Sequence, residues 1–233
     1  MDPTVKLDDL EEIPNDEKIS NLSKFGYANL IGSLMYLAIA TRPDIAYSVN
    51  KLAQYTSAPR LKHWTTIKRL FRYLKGTKHL ELIYGRSPDL LDDELNIYCD
   101  ADWASDQDRK SISGYVITIA GGAITWSSKK QATVAPSTPE VEYIAATHVA
   151  KQVLWHRSLI KELDFRLSTP SIIFLDNQLA ILITHHPECT KHIDIAVHFL
   201  RDHVQKGTID LCYINTDYNV VDIFTKPLQK PSH

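Results

Sequence analysis

Leu95-Asn96-Ile97-Tyr98-Cys99-Asp100-Ala101-Asp102-Trp103 is the stretch on which the reading of this chain turns. Leu95 to Cys99 is short, apolar and rich in strand-forming residues, and Asp100 stands at its end. Asp102 falls beyond the apolar run, in the expected turn, so Asp100 is the better candidate of the two. A carboxylate set against packed apolar residues costs free energy unless something compensates it. Three more acids hold comparable places: Glu142 on a helix, Asp176 at another strand end and Asp222 in a final helical turn. Four brought together would repel one another, and divalent cations are the usual remedy. These residue types point to metal-dependent phosphodiester hydrolysis.

Working outward, Gly114 to Ala120 and Ala123 to Ser128 read as two further strands. Gly121-Gly122 joins them as a tight hairpin whose central positions need positive φ. A long helix follows to about Leu163, with Ser137 or Thr138 as cap and Pro139 in its first turn. On it Glu142, Ala145, Ala146, Val149 and Val153 share a small apolar face, which should lie against the sheet. Glu140 shares its face with Thr147 and Lys151, so its charge serves the helix N-terminus instead. Ser171 to Leu175 is an apolar strand that delivers Asp176 at its carboxyl end, where open α/β sheets carry their sites. A short helix from Asn177, a helix over Thr190 to Lys206 closed by Gly207, and a fifth strand over Ile209 to Ile214 complete the pattern. Asn219 can cap a last helix that carries Asp222 and ends at Pro227. Three antiparallel strands followed by strands alternating with helices predict an α/β fold, a mixed five-stranded sheet flanked by helices.

Upstream the chain is mostly helical. Tyr27 to Ala40 is one pattern, and Pro43 opens a second that runs to about Tyr55. The third spans Leu61 to Lys75, with Trp64, Ile67, Phe71 and Leu74 on one face and Lys68, Arg69, Arg72 and Lys75 over much of the rest. Leu34, Met35, Tyr36 and Leu37 form a nearly continuous apolar patch that is expected to be exposed. His79 to Tyr84 is a short strand candidate, and a linker follows at residues 85–93. The resulting division is an arm over residues 1–21, a helical segment over 22–90 and a sheet domain over 91–230.

The chain has 233 residues, 44 % of them hydrophobic and 23 % charged, as in a globular protein with a real core. Its net charge of −2 is no sign of a nucleic-acid partner, but the distribution is uneven. Residues 60–79 carry seven bases and no acid, and residues 89–108 carry eight acids and no base. A basic stripe beside an acidic centre suits a backbone phosphate and its metals, while two solvated faces are the blander alternative. Cys99, Cys189 and Cys212 are odd in number and widely spaced, which fits a reducing compartment. The longest apolar run, Leu34 to Ala40, is far short of a membrane span, so no membrane partner is expected.

Several stretches, in order, carry a family resemblance. They are Tyr98 to Ala104, Ser137 to Ala145, Leu175-Asp176-Asn177-Gln178, Thr190 to Ile195 and Val221 to Leu228. Together they resemble the RNase H domain of copia-type LTR retrotransposon Pol polyproteins. Leu30 to Leu37, Thr41-Arg42-Pro43-Asp44-Ile45 and Arg72 to Thr77 resemble the thumb and connection part of the same element's reverse transcriptase. The likeness covers residues 22 to 230. It implies an RNase H-like fold and two-metal hydrolysis of the RNA strand of RNA–DNA hybrids. Magnesium would be the metal, two ions, with manganese as substitute. The family's Asp-Glu-Asp-Asp set matches Asp100, Glu142, Asp176 and Asp222, as catalytic residues and metal ligands. Lys68, Arg69, Arg72 and Lys75 become a phosphate-contacting surface, with Lys129, Lys130 and Lys226 as lesser candidates. The partners implied are the hybrid and other Pol segments. The location implied is intracellular, cytoplasmic, with a virus-like particle or the nucleus as alternatives.

The chain also departs from the family. The Tyr-x-Asp-Asp turn of the polymerase palm is absent, and the pair Asp92-Asp93 lies in a polar linker. The chain is therefore expected to be a C-terminal Pol fragment without polymerase activity. Residues 215–221 hold no histidine where many RNases H carry one, and Leu179, Ala196 and Val197 replace more usual residues. Hence a second reading, a catalytically silent remnant that folds and binds nucleic acid. A transposase or integrase core is the more distant third. His185, His186, His192, His198 and His203 lack zinc-site spacing and are read as surface residues. Trp103, Trp126 and Trp155 are read as core.

Overall fold

The computed structural model describes residues 7, 24–85, 95–103, 108–135, 137–165, 167, 170–185 and 194–227. The chain forms two compact units, Met1–Glu81 with Lys226–His233, and Leu82–Thr225. The linker expected at 85–93 lies, after Gly85, outside the described residues, and so does the arm over 1–21 apart from Leu7.

In the first unit, α1 (Lys24–Ala40) is followed by a 3-10 turn (Pro43–Ile45), α2 (Ala46–Ala53) and α3 (Leu61–Gly76). Tyr27, Ile31, Leu34 and Ala38 recur at helical spacing and form the buried stripe of α1. They pack with Ile45, Val49, Leu52, Trp64, Ile67, Leu70 and Leu7. Leu34 therefore leaves the expected exposed patch, which is instead Met35, Tyr36 and Ile39. On α3 the inward residue is Leu70 rather than Phe71, because the helix turns Trp64, Ile67 and Leu70 to the core and leaves Phe71 exposed. The Thr41 to Ile45 motif has a structural role. Arg42 donates to both carboxylate oxygens of Asp44 (2.9 and 2.7 Å) and to the carbonyl and hydroxyl of Thr77 (3.2 and 2.7 Å). Tyr73 Oη donates to the same Asp44 at 2.8 Å, so the turn after α1 is clamped to the end of α3.

The second unit is built on five strands: β1 (Asn96–Asp102), β2 (Ile112–Ile119), β3 (Gly122–Lys130), β4 (Ser171–Leu175) and β5 (Ile209–Tyr213). Their order is β3-β2-β1-β4-β5, with β1 antiparallel to β2 and parallel to β4. This is the RNase H-like mixed sheet that the resemblance implies. The helices are α4 (Thr138–Glu162), α5 (Gln178–His185), α6 (Asp194–Gln205) and the single turn α7 (Asp222–Thr225). Ala145, Ala146, Val149 and Val153 of α4 are buried with Ile97, Cys99, Tyr115, Ile117, Ile173 and Leu175.

Four expectations are corrected in this unit. β1 does not stop at Cys99: its pairing with β2 continues through Ala101↔Ser113 to Asp102↔Ile112, so Asp102 is in the strand. The hairpin turn is one residue earlier than expected. Ala120 (φ 48°) and Gly121 (φ 75°) take the two positive-φ positions, and Gly122 pairs with Ile119. Gly122 is needed for a different reason, since a Cβ there would lie 2.2 Å from Tyr84 Cδ1. Residues 80–84 form no ladder strand; the segment is held at its end by Gly85 N–H to the Ala120 carbonyl (2.8 Å) and Tyr84 Oη to the Ala123 carbonyl (2.8 Å). Trp103 and Trp155 are exposed rather than core, one beyond the end of β1 and the other on the outer side of α4, while Trp126 is half-buried on β3.

Candidate metal centre

Register sets the site before any side chain is considered. In the parallel pair, Ile97 faces Ile173 and Tyr98 faces Phe174. Two residues further on, the same register brings Asp176, just past β4, beside Asp100 on β1. Glu142 approaches from the first turns of α4, whose buried face points at the sheet. One carboxylate oxygen from each of Asp100, Glu142 and Asp176 lies within 4.8 Å of the others. Asp100 is 5 % exposed and Glu142 3 %. Among the described residues this trio is the one group of three or more acid, histidine or cysteine ligands so closely placed. Asp222, half-buried at the start of α7, is not a member of it. His185, His198 and His203 join no such group, and His186 and His192 lie outside the described residues.

Each carboxylate of the trio has its own donor. The Ala101 N–H donates to Glu142 Oε1 at 3.3 Å. Thr216 Oγ1 donates to Asp176 Oδ2 at 2.9 Å. The buried Thr225 Oγ1 donates to Asp100 Oδ2. Strand alternation puts Asp100 on the face opposite Cys99, and its cross-strand partner Gly114 shares that face. α7 packs there: a Cβ on Gly114 would lie 2.8 Å from Phe224 Cβ and from Thr225 Cγ2, and 2.9 Å from Val221 Cγ1. Asn219 fixes the approach, donating to the Cys99 carbonyl at 3.1 Å while its Oδ1 accepts from Val221 N–H at 3.3 Å. No periodicity or spacing singles out Thr225, Thr216 or Gly114, and Asn219 is legible in the sequence only as a helix cap. Thr225 lies inside the Val221 to Leu228 motif, the one signal that points toward it.

Burial above all, and then the charges of Glu142, Asp100 and Asp176, push the Cys99 thiol well above its ordinary range. Clustered carboxylate oxygens, two of them on buried side chains and one on a half-buried one, form a hard donor set, suited to a divalent cation such as magnesium or manganese. Such a centre can neutralise and polarise a phosphodiester.

The basic candidates lie elsewhere. Lys68, Arg69, Arg72 and Lys75 are all exposed on α3. Lys130 is engaged with Asp108 at 3.0 Å. Lys129 is exposed, and after burial it and Lys151 lower the pKa of His148. No described helix is long and apolar enough to cross a membrane.

No family model matches the sequence. The chain is 40 % identical over 215 residues to the retrovirus-related Pol polyprotein from transposon TNT 1-94 of Nicotiana tabacum, covering 90 % of this chain and 16 % of that protein. It is 38 % identical over 208 residues to the retrovirus-related Pol polyprotein from transposon RE2 of Arabidopsis thaliana, covering 88 % of this chain and 14 % of that protein. The chain thus spans about a sixth of the length of these relatives. Among solved structures it is similar to LC11-RNase H1 isolated from compost, at 16 % identity and a TM-score of 0.43, covering 57 % of this chain and 93 % of that one.

Proposed function

The chain belongs to the retrovirus-related Pol polyproteins of copia-type transposons, and from that premise we propose that its second unit is a ribonuclease acting on RNA–DNA hybrids. The observation that carries this reading is the convergence of Asp100, Glu142 and Asp176 from three separate elements. In it, those three residues hold the metal, and Asp222 from the start of α7 is the fourth acid. Two divalent cations, magnesium or manganese, would supply charge neutralisation and water activation for in-line displacement at phosphorus. The chain's own groups bind and orient: the acids fix the centre, and Thr216, Thr225 and the Ala101 N–H hold the acids. No side chain serves as nucleophile, so no covalent intermediate forms. The exposed Lys68, Arg69, Arg72 and Lys75 contact backbone phosphates. An A-like hybrid is read by its wide minor groove and 2′-hydroxyls rather than by base sequence. Other Pol segments are the protein partners, and the site of action is intracellular.

The test is magnesium-dependent cleavage of a labelled RNA–DNA hybrid by the full chain, beside Asp100→Asn and Asp102→Asn. Cleavage abolished by the first change and retained with the second is the expected result. A folded parent that binds the hybrid without cutting it would leave a binding remnant.

A further inference from the structure

The metal reading leaves open what holds the Asp100 carboxylate in one orientation. The last torsion of an aspartate is broad and roughly two-fold, so packing at Cβ does not fix the plane of its oxygens. Thr225 is fully buried on α7, and its hydroxyl reaches Asp100 across 125 residues of sequence. A hydroxyl has one proton to give. The other acceptor within reach, the Asp222 carbonyl, is 3.4 Å away, so the proton goes to Asp100. Both ends of this contact are built in. Gly114, opposite Asp100 in the ladder, lets α7 come as close as it does, and Asn219 ties the segment before α7 to the carbonyl of Cys99.

Resting on that metal reading, we propose that Thr225 is a positioning residue for Asp100. Its hydroxyl fixes the plane of the carboxylate and occupies one lone-pair direction of Oδ2, turning the remaining ones toward Glu142 and Asp176. Thr216 makes the corresponding contact to Asp176 from the same segment, so residues 216–225 orient two of the three acids. Donors of this outer kind set the affinity of a metal site by holding its ligands still.

The test is Mn2+ affinity, measured by calorimetry on the full chain, for the parent, Thr225→Ser and Thr225→Ala. Both variants lose the methyl group that lies against Gly114, so any packing defect is common to the two. They differ in the hydroxyl alone. Thr225→Ser is expected within about threefold of the parent and Thr225→Ala weaker by about ten- to a hundredfold. The same order is expected in the magnesium concentration that gives half-maximal cleavage. Equal affinities for the two variants, or an alanine variant that binds like the parent, overturn the proposal while leaving the metal centre standing. A parent that binds no Mn2+ overturns the metal reading and this inference with it.

Discussion

Arg42 and Asp44 show what a single residue pair contributes here. Burial alone would raise the Asp44 pKa, but hydrogen bonds from Arg42 and Tyr73 more than offset it, and the carboxyl is held below its usual range. A depressed folded pKa means that the contribution is complete above the unfolded value of about 3.9 and is lost as pH falls through the folded one. Hydrogen-exchange protection at the end of α3 should therefore be flat from neutral pH to about pH 5 and fall below about pH 4. Asp44→Asn should weaken protection at pH 7 by about 1–3 kcal/mol and remove that acid-dependent step. A variant with the parent's acid profile would show that the clamp is not what titrates.

At the scale of elements, α7 matters far beyond its four residues. It carries Asp222, supplies Thr225 to Asp100 and packs on Gly114, a β2 position without a side chain. Each of the three atoms that a Gly114 Cβ would meet, at 2.8–2.9 Å, belongs to α7 or to Val221 just before it. Gly114→Ala should therefore displace α7 and cost about 1–3 kcal/mol of stability. Thermal unfolding and Mn2+ titration together check it, with both expected to fall. Loss of stability with metal affinity unchanged would mean that α7 is a structural plug and nothing more. Gly122 is a parallel case, kept small by Tyr84 rather than by a turn.

At the scale of the whole molecule, the two candidate binding features fall in different units. The carboxylate trio belongs to Leu82–Thr225, and the run of exposed Lys68, Arg69, Arg72 and Lys75 belongs to the first unit. If α3 binds backbone phosphates, hybrid affinity must fall with salt, and the steepness reports how many phosphates are neutralised. Replacing the four bases by alanine should lower the slope of log affinity against log salt by about 0.9 for each phosphate no longer neutralised. Binding isotherms at several salt concentrations measure this directly. An unchanged slope would assign the α3 face to solvent.

Much of this was legible in the chain because it is local. Strand alternation and helical periodicity placed five strands, the buried face of α4, and the choice of Glu142 over Glu140. β4 is readable as a strand because Ile172 to Leu175 is an unbroken apolar run with an acid at its end. What the sequence alone did not decide is long-range. β1 reaches Asp102 because β2 continues to pair with it, and Gly122 is in β3 because it pairs with Ile119, while Tyr84 lying over it leaves no room for a side chain. Trp103 and Trp155 look like core by composition, yet their positions point them outward. Asp100, Glu142 and Asp176 converge through the parallel register of β1 with β4 and the packing of α4, and the Thr225 hydrogen bond spans 125 residues. Residue type and period are properties of neighbours along the chain; which hydroxyl meets which carboxylate is set only when the sheet closes its register and α7 docks.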